Sequence, residues 1–289
     1  VNAISFIACT IVIFVYLKHE CIRSLATRIL VWISITGVLH CFAVVLAIGG
    51  SLDVGPVCTM QGFLLQFTAI AEVLWSLVVT AVIYQILLHP NNSHAYSNNI
   101  DAIWYRMHAV LWSICTITAL IPLCVKGAYA PTGGTCWITL TSPTLRYFMY
   151  YIPWFICIVI MIALSFKVTV YVCCSEFMLS QQHSEDNALR IVRTIWYYPL
   201  IVLGFNLCFA IRRADEAVTG EAAAFPLAVL SIIFGYARQI PNTLIFCWTP
   251  NVRQVLGNAF GVIGHATHGA SVQDAQRVPE ESDDGDESK

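Results

Sequence analysis

Charged side chains are scarce in this sequence, at 11% of 289 residues, against about 25% in soluble domains. Hydrophobic residues make up 58%, and the mean hydropathy is +0.71. So few charges would leave most of the surface of a soluble domain apolar. The composition therefore predicts an integral membrane protein.

Patterns that mark several functional classes are also missing. No basic run is present, so nucleic acid is not an expected partner. The 12 cysteines are scattered rather than grouped as CxxC, and no HxxxH pattern occurs, so we expect neither a metal site nor a zinc hydrolase. No lysine lies in the last apolar run, which excludes a retinal Schiff base there. We predict a protein that is not an enzyme, with no catalytic residue and no cofactor.

Apolar runs long enough to cross a bilayer are what the sequence has in abundance. Seven occur, at residues 1–17, 29–49, 58–84, 103–125, 144–172, 191–211 and 225–248. They predict an all-α membrane protein, a seven-transmembrane helix bundle. A seven-span transporter or channel remains the alternative function, although no matching halves of the kind that many transporters have are visible.

Lysine and arginine are divided unequally between the two sides of this layout, ten on one side and four on the other. Basic residues favour the cytoplasmic side. We therefore predict an N-terminus outside and a C-terminus in the cytoplasm, in the plasma membrane. Asn91 begins a glycosylation sequon that this orientation places in the cytoplasm, so it should carry no glycan.

Two further segments follow the last run. Residues 250–263 place Val252, Val255, Leu256, Ala259 and Phe260 on one helical face, which predicts an amphipathic helix along the inner leaflet. Residues 264–289 read as a disordered cytoplasmic tail, and its last 11 residues carry six acids. The predicted domains are thus a seven-span bundle over 1–263 and an acidic tail over 264–289.

Two cysteines lie near the predicted outer face. Cys58 opens the third run, and Cys136 lies in the longest outer loop. A bridge between them would tie that loop to the bundle and would be worth roughly 2–4 kcal/mol. Cys124 as the partner, or two free thiols, are the alternatives.

Ionisable residues also occur at mid-membrane depth, where a charge is unfavourable and tends to pair. We expect Glu72 of the third run and Arg238 of the seventh to form an ion pair, with His40 of the second close by. Together with Asn242 they form a candidate intramembrane polar switch. The alternative is that each side chain finds water or the interface separately.

Candidate binding residues lie on both predicted faces. Basic and aromatic residues at the outer mouth would suit an anionic, partly flat ligand, although an aromatic belt with ordinary loop charges has the same composition. The outer set is Lys126, Trp137, Arg146, Tyr150, Arg212 and Arg213. On the inner face, Lys167, Arg190 and Arg193 would meet a partner protein or membrane lipid.

Prolines interrupt three of the runs, and each removes one backbone hydrogen-bond donor. They are Pro153, Pro199 and Pro241. They predict kinks in the fifth, sixth and seventh spans, which would let the inner ends of these helices swing. Proline is also common in membrane helices generally.

Three motifs narrow the function: CTMQGFLLQF opening the third span, TCWI with RYFMYYIPW leading into the fifth, and ARQIPNTLIFCWTPNVR closing the seventh. Together they resemble the cyclic-AMP-receptor-like G-protein-coupled receptors of slime moulds and their fungal, plant and protist relatives. The resemblance implies a cell-surface receptor, an extracellular small-molecule ligand, a heterotrimeric G protein as partner and a Cys58–Cys136 disulfide.

The sequence also departs from this family. Its seventh span usually reads close to L-Q-G-x-x-N-A-x-x-Y, whereas here Gln239 and Asn242 are kept in altered surroundings and Arg238 is extra. That difference bears on the ligand more than on the fold. No Asp-Arg-Tyr triplet ends the third span, so rhodopsin-like receptors match less well.

Overall fold

The computed structural model describes residues 1–22, 25–48, 55–88, 100–132, 135–179, 225–237 and 239–259, with isolated helical positions between 201 and 215. The predicted acidic tail at 264–289 and most of the sixth run lie outside the described residues, as does Pro199.

The described chain is mostly helical. Its helices are α1 (Asn2–Lys18), α2 (Leu25–Ile48), α3 (Pro56–Leu88), α4 (Ile100–Leu123), α5 (Pro143–Arg146), α6 (Ile152–Leu179), α7 (Phe225–Ala237), α8 (Gln239–Trp248) and α9 (Pro250–Ala259). A 3-10 turn (Glu20–Ile22) follows α1, and a π-helical turn (Tyr147–Tyr151) joins α5 to α6. Between α4 and α5, β1 (Tyr129–Thr132) pairs antiparallel with β2 (Thr135–Ile138).

Four of the described helical segments are long and apolar enough to cross a membrane. They are Thr27–Leu46, Pro56–Leu88, Ile103–Leu123 and Pro143–Tyr171, with Asn2–Lys18 as a shorter apolar helix. These five correspond to the first five predicted runs. The count of seven spans stays a prediction.

Helix α3 lies at the centre of the described structure, because it packs against α2, α4, α6 and both strands. Its 33 residues extend about 50 Å, and the ring of Trp75 within it is fully buried. Helix α6, by contrast, turns large apolar side chains outward: Phe155 is 62% exposed and Phe166 is 69% exposed. An exposed apolar surface of this kind is typical of a helix that faces lipid or another protein.

An aromatic cluster holds α2, α3 and α4 together. The ring of His108 lies 4.9 Å from those of Trp32 and Trp75 and 4.4 Å from that of Trp104. Trp112 Nε1 donates a hydrogen bond to His108 Nδ1 at 3.0 Å. Edge-to-face contacts of this kind stabilise beyond the area that they bury.

The two described prolines of the predicted kinks lie near helix starts. Pro153 is the second residue of α6, separated from the π-helical turn by Ile152 alone, and Pro241 is the third residue of α8. Pro153 lies inside a continuous helical segment, because α5, the π-helical turn and α6 follow one another without a break. Its missing N–H therefore leaves the Met149 carbonyl without the donor four residues later.

The predicted amphipathic helix is present as α9. Thr249 separates α8 from α9, and Pro250 occupies the first position of α9, where proline is favoured. Val252 is buried, Val255 and Leu256 are half-buried against the core, and Arg253 is exposed. The helix ends at Ala259, and residues 260–263 lie outside the described part of the chain.

Candidate functional site

The β1–β2 hairpin is fastened to the start of α3. A disulfide joins Cys58 to Cys136, as the resemblance implied. Next to it, Gln61 Oε1 accepts the backbone N–H of Cys136 at 2.9 Å, while Gln61 Nε2 donates to the carbonyl of Ala43 in α2 at 3.0 Å. The first glutamine of the QGF motif therefore bridges β2, α3 and α2.

The glycine of the same motif makes room for the hairpin. A Cβ on Gly62 would lie 2.4 Å from Cδ1 of Tyr129, so only a residue without a side chain fits under this ring. The hydroxyl of Tyr129 donates to the Ala119 carbonyl in α4 at 2.9 Å. Burial raises the pKa of Tyr129 above its usual range, which keeps the donating hydroxyl neutral.

The second glutamine of the motif supplies a donor that a proline removed. In an α-helix the Met149 carbonyl would accept the N–H of residue 153, which here is Pro153 and has none. Gln66 Nε2 instead donates to this carbonyl at 2.8 Å, and Gln66 Oε1 accepts Trp137 Nε1 at 3.0 Å. One fully buried side chain thus joins α3, the hairpin and the entry to α6. We call the hairpin with Cys58, Gln61, Gly62 and Gln66 the outer cap, after the face on which the predicted orientation would place it.

Three of the predicted ligand residues meet in the outer cap. The guanidinium carbon of Arg146 lies 4.9 Å from the Trp137 ring centroid, and Arg146 Nε donates to the Ile138 carbonyl at 2.6 Å. The Tyr150 ring stands edge-on to Trp137, with the ring centroids 5.0 Å apart. All three predicted side chains are buried, so they brace the hairpin from within.

The other predicted outer residues are placed differently. Lys126 is exposed in the loop before β1. Arg212 is half-buried, and its Nη1 donates to Ser231 Oγ of α7 at 3.1 Å. Arg213 lies outside the described residues. The structure therefore does not bring all six candidate residues into one described surface.

Deeper along α3, Glu72, Gln239 and Asn242 form a buried hydrogen-bonded group that we call the polar node. Gln239 Nε2 donates to Glu72 Oε1 at 2.8 Å, and Asn242 Nδ2 donates to Gln239 Oε1 at 3.0 Å. Their exposures are 5%, 4% and 7%. The amide stabilises a carboxyl group that the membrane interior disfavours, and it links α3 to α8.

Of the two remaining predicted switch residues, His40 lies near the polar node and Arg238 lies outside the described residues. His40 Nδ1 lies 3.1 Å from Thr68 Oγ1, one helical turn before Glu72, which links α2 to α3. Arg238, the predicted partner of Glu72, lies outside the described residues, so their ion pair stays a prediction.

Of the predicted inner residues, Lys167 alone is described. Its Nζ lies 5.8 Å from the ring centroid of Tyr84, so the second half of α6 lies next to the end of α3. Arg190 and Arg193 lie outside the described residues.

Sequence reasoning did not single out the glutamines as site residues. Gln61 and Gln66 were noted only because they belong to a family motif. Gln239 was noted only because the seventh span of the family also has a glutamine. A usable signal existed, because a glutamine inside an apolar membrane helix needs partners for two donors and an acceptor.

Comparisons with known proteins agree with this arrangement. The family profile described as slime mold cyclic AMP receptor matches residues 1–281. G-protein coupled receptor 1 of Arabidopsis thaliana is 17% identical over 263 residues, covering 88% of this chain and 78% of that protein. Cyclic AMP receptor 4 of Dictyostelium discoideum is 22% identical over 252 residues, covering 83% of this chain and 50% of that protein.

The fold is also found among solved structures. Squid rhodopsin superimposes with a TM-score of 0.70 at 15% identity, covering 90% of this chain and 77% of that one. Identity this low shows the shared fold and not a shared ligand. The family and the fold are both those of a receptor. With its apolar spanning helices and its outer cap, the chain belongs to the slime mold cyclic AMP receptor family of membrane-spanning G-protein-coupled receptors.

Proposed function

We propose that this receptor lies in the plasma membrane with its N-terminus outside and signals from an extracellular small molecule to a heterotrimeric G protein. The observation that carries the proposal is the double role of α3. Its outer end holds the outer cap through Cys58, Gln61 and Gln66, and its middle holds α8 through Glu72.

Such a helix couples an outer event to the packing of the bundle. A ligand that binds one packing better than another shifts the population toward it. Through Gln66, a displaced hairpin moves the Met149 carbonyl at the entry to α6. The second half of α6, which begins near Lys167, then changes its position relative to α3.

We propose that the polar node stabilises the resting packing. A hydrogen bond to a charged group contributes about 1.5–3 kcal/mol, which is about tenfold or more in a two-state equilibrium. The proposed pairing of Arg238 with Glu72, and the neighbouring His40, would add to the same contact. If the pair exists, Glu72→Gln and Arg238→Gln should each disturb basal activity more than the double substitution does.

The ligand we propose is a small anion of the cyclic nucleotide class. The name of the Dictyostelium relative supports this class, and so do the cations predicted at the outer mouth. Lys126 is exposed and offers an ammonium group directly, whereas Arg146 is buried and already bonded to the hairpin. We therefore assign direct ligand contact to Lys126, Arg212 and Arg213, and a bracing role to Trp137, Arg146 and Tyr150.

On the inner face we propose that Lys167, Arg190 and Arg193 meet the G protein, with lipid headgroups as their neighbours in its absence. Lys167 is exposed next to Tyr84, so its charge is available at the membrane surface. Basic helix ends of this kind also hold anionic lipid.

The test is nucleotide exchange on a purified heterotrimeric G protein, with the receptor in lipid nanodiscs and cyclic AMP, cyclic GMP and AMP as probes. We expect one anionic nucleotide to accelerate exchange, and Lys126→Gln to weaken its potency about tenfold, the loss of one charge-assisted hydrogen bond. Lys18→Gln, an exposed change in the first helix, is the matched control. Substrate flux in proteoliposomes without any exchange would instead support a transporter.

A further inference from the structure

We infer that Gly37, in the middle of α2, is a positioning residue for the polar node. It holds the amide of Gln239 against Glu72, so the packing of α1 on α2 sets how firmly α8 is bound to α3. This inference rests on the function proposed above for the polar node. It adds the backbone of α2 at Gly37 to the elements that hold the polar node in place, a contact that neither the sequence nor the family motif indicates.

The argument begins with the space around Gly37. A Cβ placed there would lie 2.8 Å from Gln239 Cδ and 3.0 Å from Gln239 Nε2. That nitrogen is the atom that donates to Glu72 Oε1 at 2.8 Å. One face of the amide therefore touches the bare backbone of α2, while its edge reaches the carboxyl group of α3.

Gln239 has little freedom to move aside. Its Oε1 accepts a hydrogen bond from Asn242 Nδ2 at 3.0 Å, so turning the amide breaks one of its two bonds. The other side of Gly37 is closed by Cys9 of α1, whose Sγ would lie 2.8 Å from the same Cβ. Cys9 is itself 1% exposed. An added methyl group must displace both of these side chains.

The elements around Gly37 make this a contact of four helices. Helix α8 packs against both α1 and α2, and Glu72 adds α3 through Gln239. A shift of α1 or α2 at this level changes the distance between the amide and the carboxyl group. Gly37→Ala should therefore weaken the polar node without altering any of its own polar groups.

The experiment compares Gly37→Ala in three backgrounds: wild type, Gln239→Ala and Cys9→Ala. Each variant is measured for unfolding midpoint in nanodiscs and for ligand-independent nucleotide exchange on the G protein. Gly235→Ala is the control, because a Cβ there meets no described atom within 4 Å. Alanine also has the higher helix propensity, so we expect this control to leave midpoint and exchange unchanged or raise the midpoint slightly.

We expect Gly37→Ala to lower the midpoint by about 2–4 °C, the shift that corresponds to about 1 kcal/mol, and to raise basal exchange several-fold. In the Gln239→Ala background the rise in exchange should be lost, because the obstructed amide is gone, and the midpoint shift should shrink to the part that the contact with Cys9 causes. The midpoint effect of Gly37→Ala could depend on Gln239 while no variant, including wild type, catalyses nucleotide exchange. That result would support the positioning role and refute the proposed signalling.

Two results overturn the inference. The first is an equal effect of Gly37→Ala with and without the Gln239 side chain. The second is an effect that disappears in the Cys9→Ala background alone, which would make Gly37 a packing residue between α1 and α2 only. In either case exchange that still responds to ligand leaves the proposed function standing.

Discussion

Replacing Gln66 tests whether its amide substitutes for the donor that Pro153 lacks. Gln66→Met keeps the length and most of the volume of the side chain, so the change isolates its hydrogen bonds. It removes the donor to the Met149 carbonyl and the acceptor of Trp137 Nε1. Gln66 is fully buried, so water does not replace either partner.

The size of the effect follows from these two contacts. A buried polar group that loses its partner costs about 1–3 kcal/mol, so Gln66→Met should lower the free energy of unfolding by about 2–6 kcal/mol. At about 2–4 °C per kcal/mol the midpoint falls by roughly 4–24 °C.

Pro153→Ala distinguishes the proposed reason from a general loss of packing. Alanine restores an N–H four residues after Met149, which returns a helical donor to that carbonyl. The penalty of Gln66→Met should therefore be smaller in the Pro153→Ala background by about 1–3 kcal/mol, leaving mainly the contribution of Trp137.

The measurement is thermal unfolding followed by a thiol-reactive dye. Cys115 and Cys157 are buried and become reactive only on unfolding, whereas Cys21 and Cys124 are exposed and would first be replaced by serine. Gln85→Met is the matched control: it lies on the same helix, is half-buried, and shows no side-chain hydrogen bond to a described residue. Penalties for Gln66→Met and Pro153→Ala that add to within about 0.5 kcal/mol would refute the reasoning.

Three further outcomes follow. Gly62→Ala should destabilise the outer cap, because its Cβ would lie 2.4 Å from the Tyr129 ring. Tyr129→Ala should remove most of that penalty. If the double variant loses as much unfolding midpoint to the Gly62 change as the wild type does, the contact is not the cause. Cys58→Ser should cost roughly 2–4 kcal/mol and Cys136→Ser the same, with no further loss in the pair, whereas additive losses would indicate separate roles. Asn91 should remain unglycosylated in a secretory-pathway host, and a mass shift removed by a glycosidase would reverse the predicted orientation.

Much of the helical framework was predictable from the apolar runs. The first five agree with the described spans to within a few residues at most ends, since a hydrocarbon core dictates the length of an apolar helix. Ends defined by polar contacts were predicted less well. Helix α2 begins at Leu25, four residues before the predicted start, and so takes in Arg28, whose guanidinium carbon lies 5.8 Å from the ring centroid of Trp104.

From the sequence we could name two residues of the polar node, Glu72 and Asn242, but not the hydrogen bonds that they form. Glu72 was recognised because a lone acid in an apolar helix must find a partner. Its described partner is a neutral amide 167 residues away, the side chain next to the predicted arginine. Periodicity places Glu72 and Gln239 at a similar depth, but the rotation of each helix decides which neighbour faces the acid.

Pro153 and Gln66 show how far such reasoning extends. The sequence alone establishes that the Met149 carbonyl lacks the N–H of residue 153 as a donor and that Gln66 has donors to satisfy in an apolar helix. The two needs lie 83 residues apart, and they meet because the disulfide and Gln61 set the register of the hairpin against α3. A proline at a membrane-helix entry thus predicts that a polar side chain must lie nearby, and a buried glutamine predicts that it has a partner. Only the fold shows that the Gln66 amide pairs with the Met149 carbonyl. The sequence motif therefore indicates a family, whereas the role of its glutamine requires the structure.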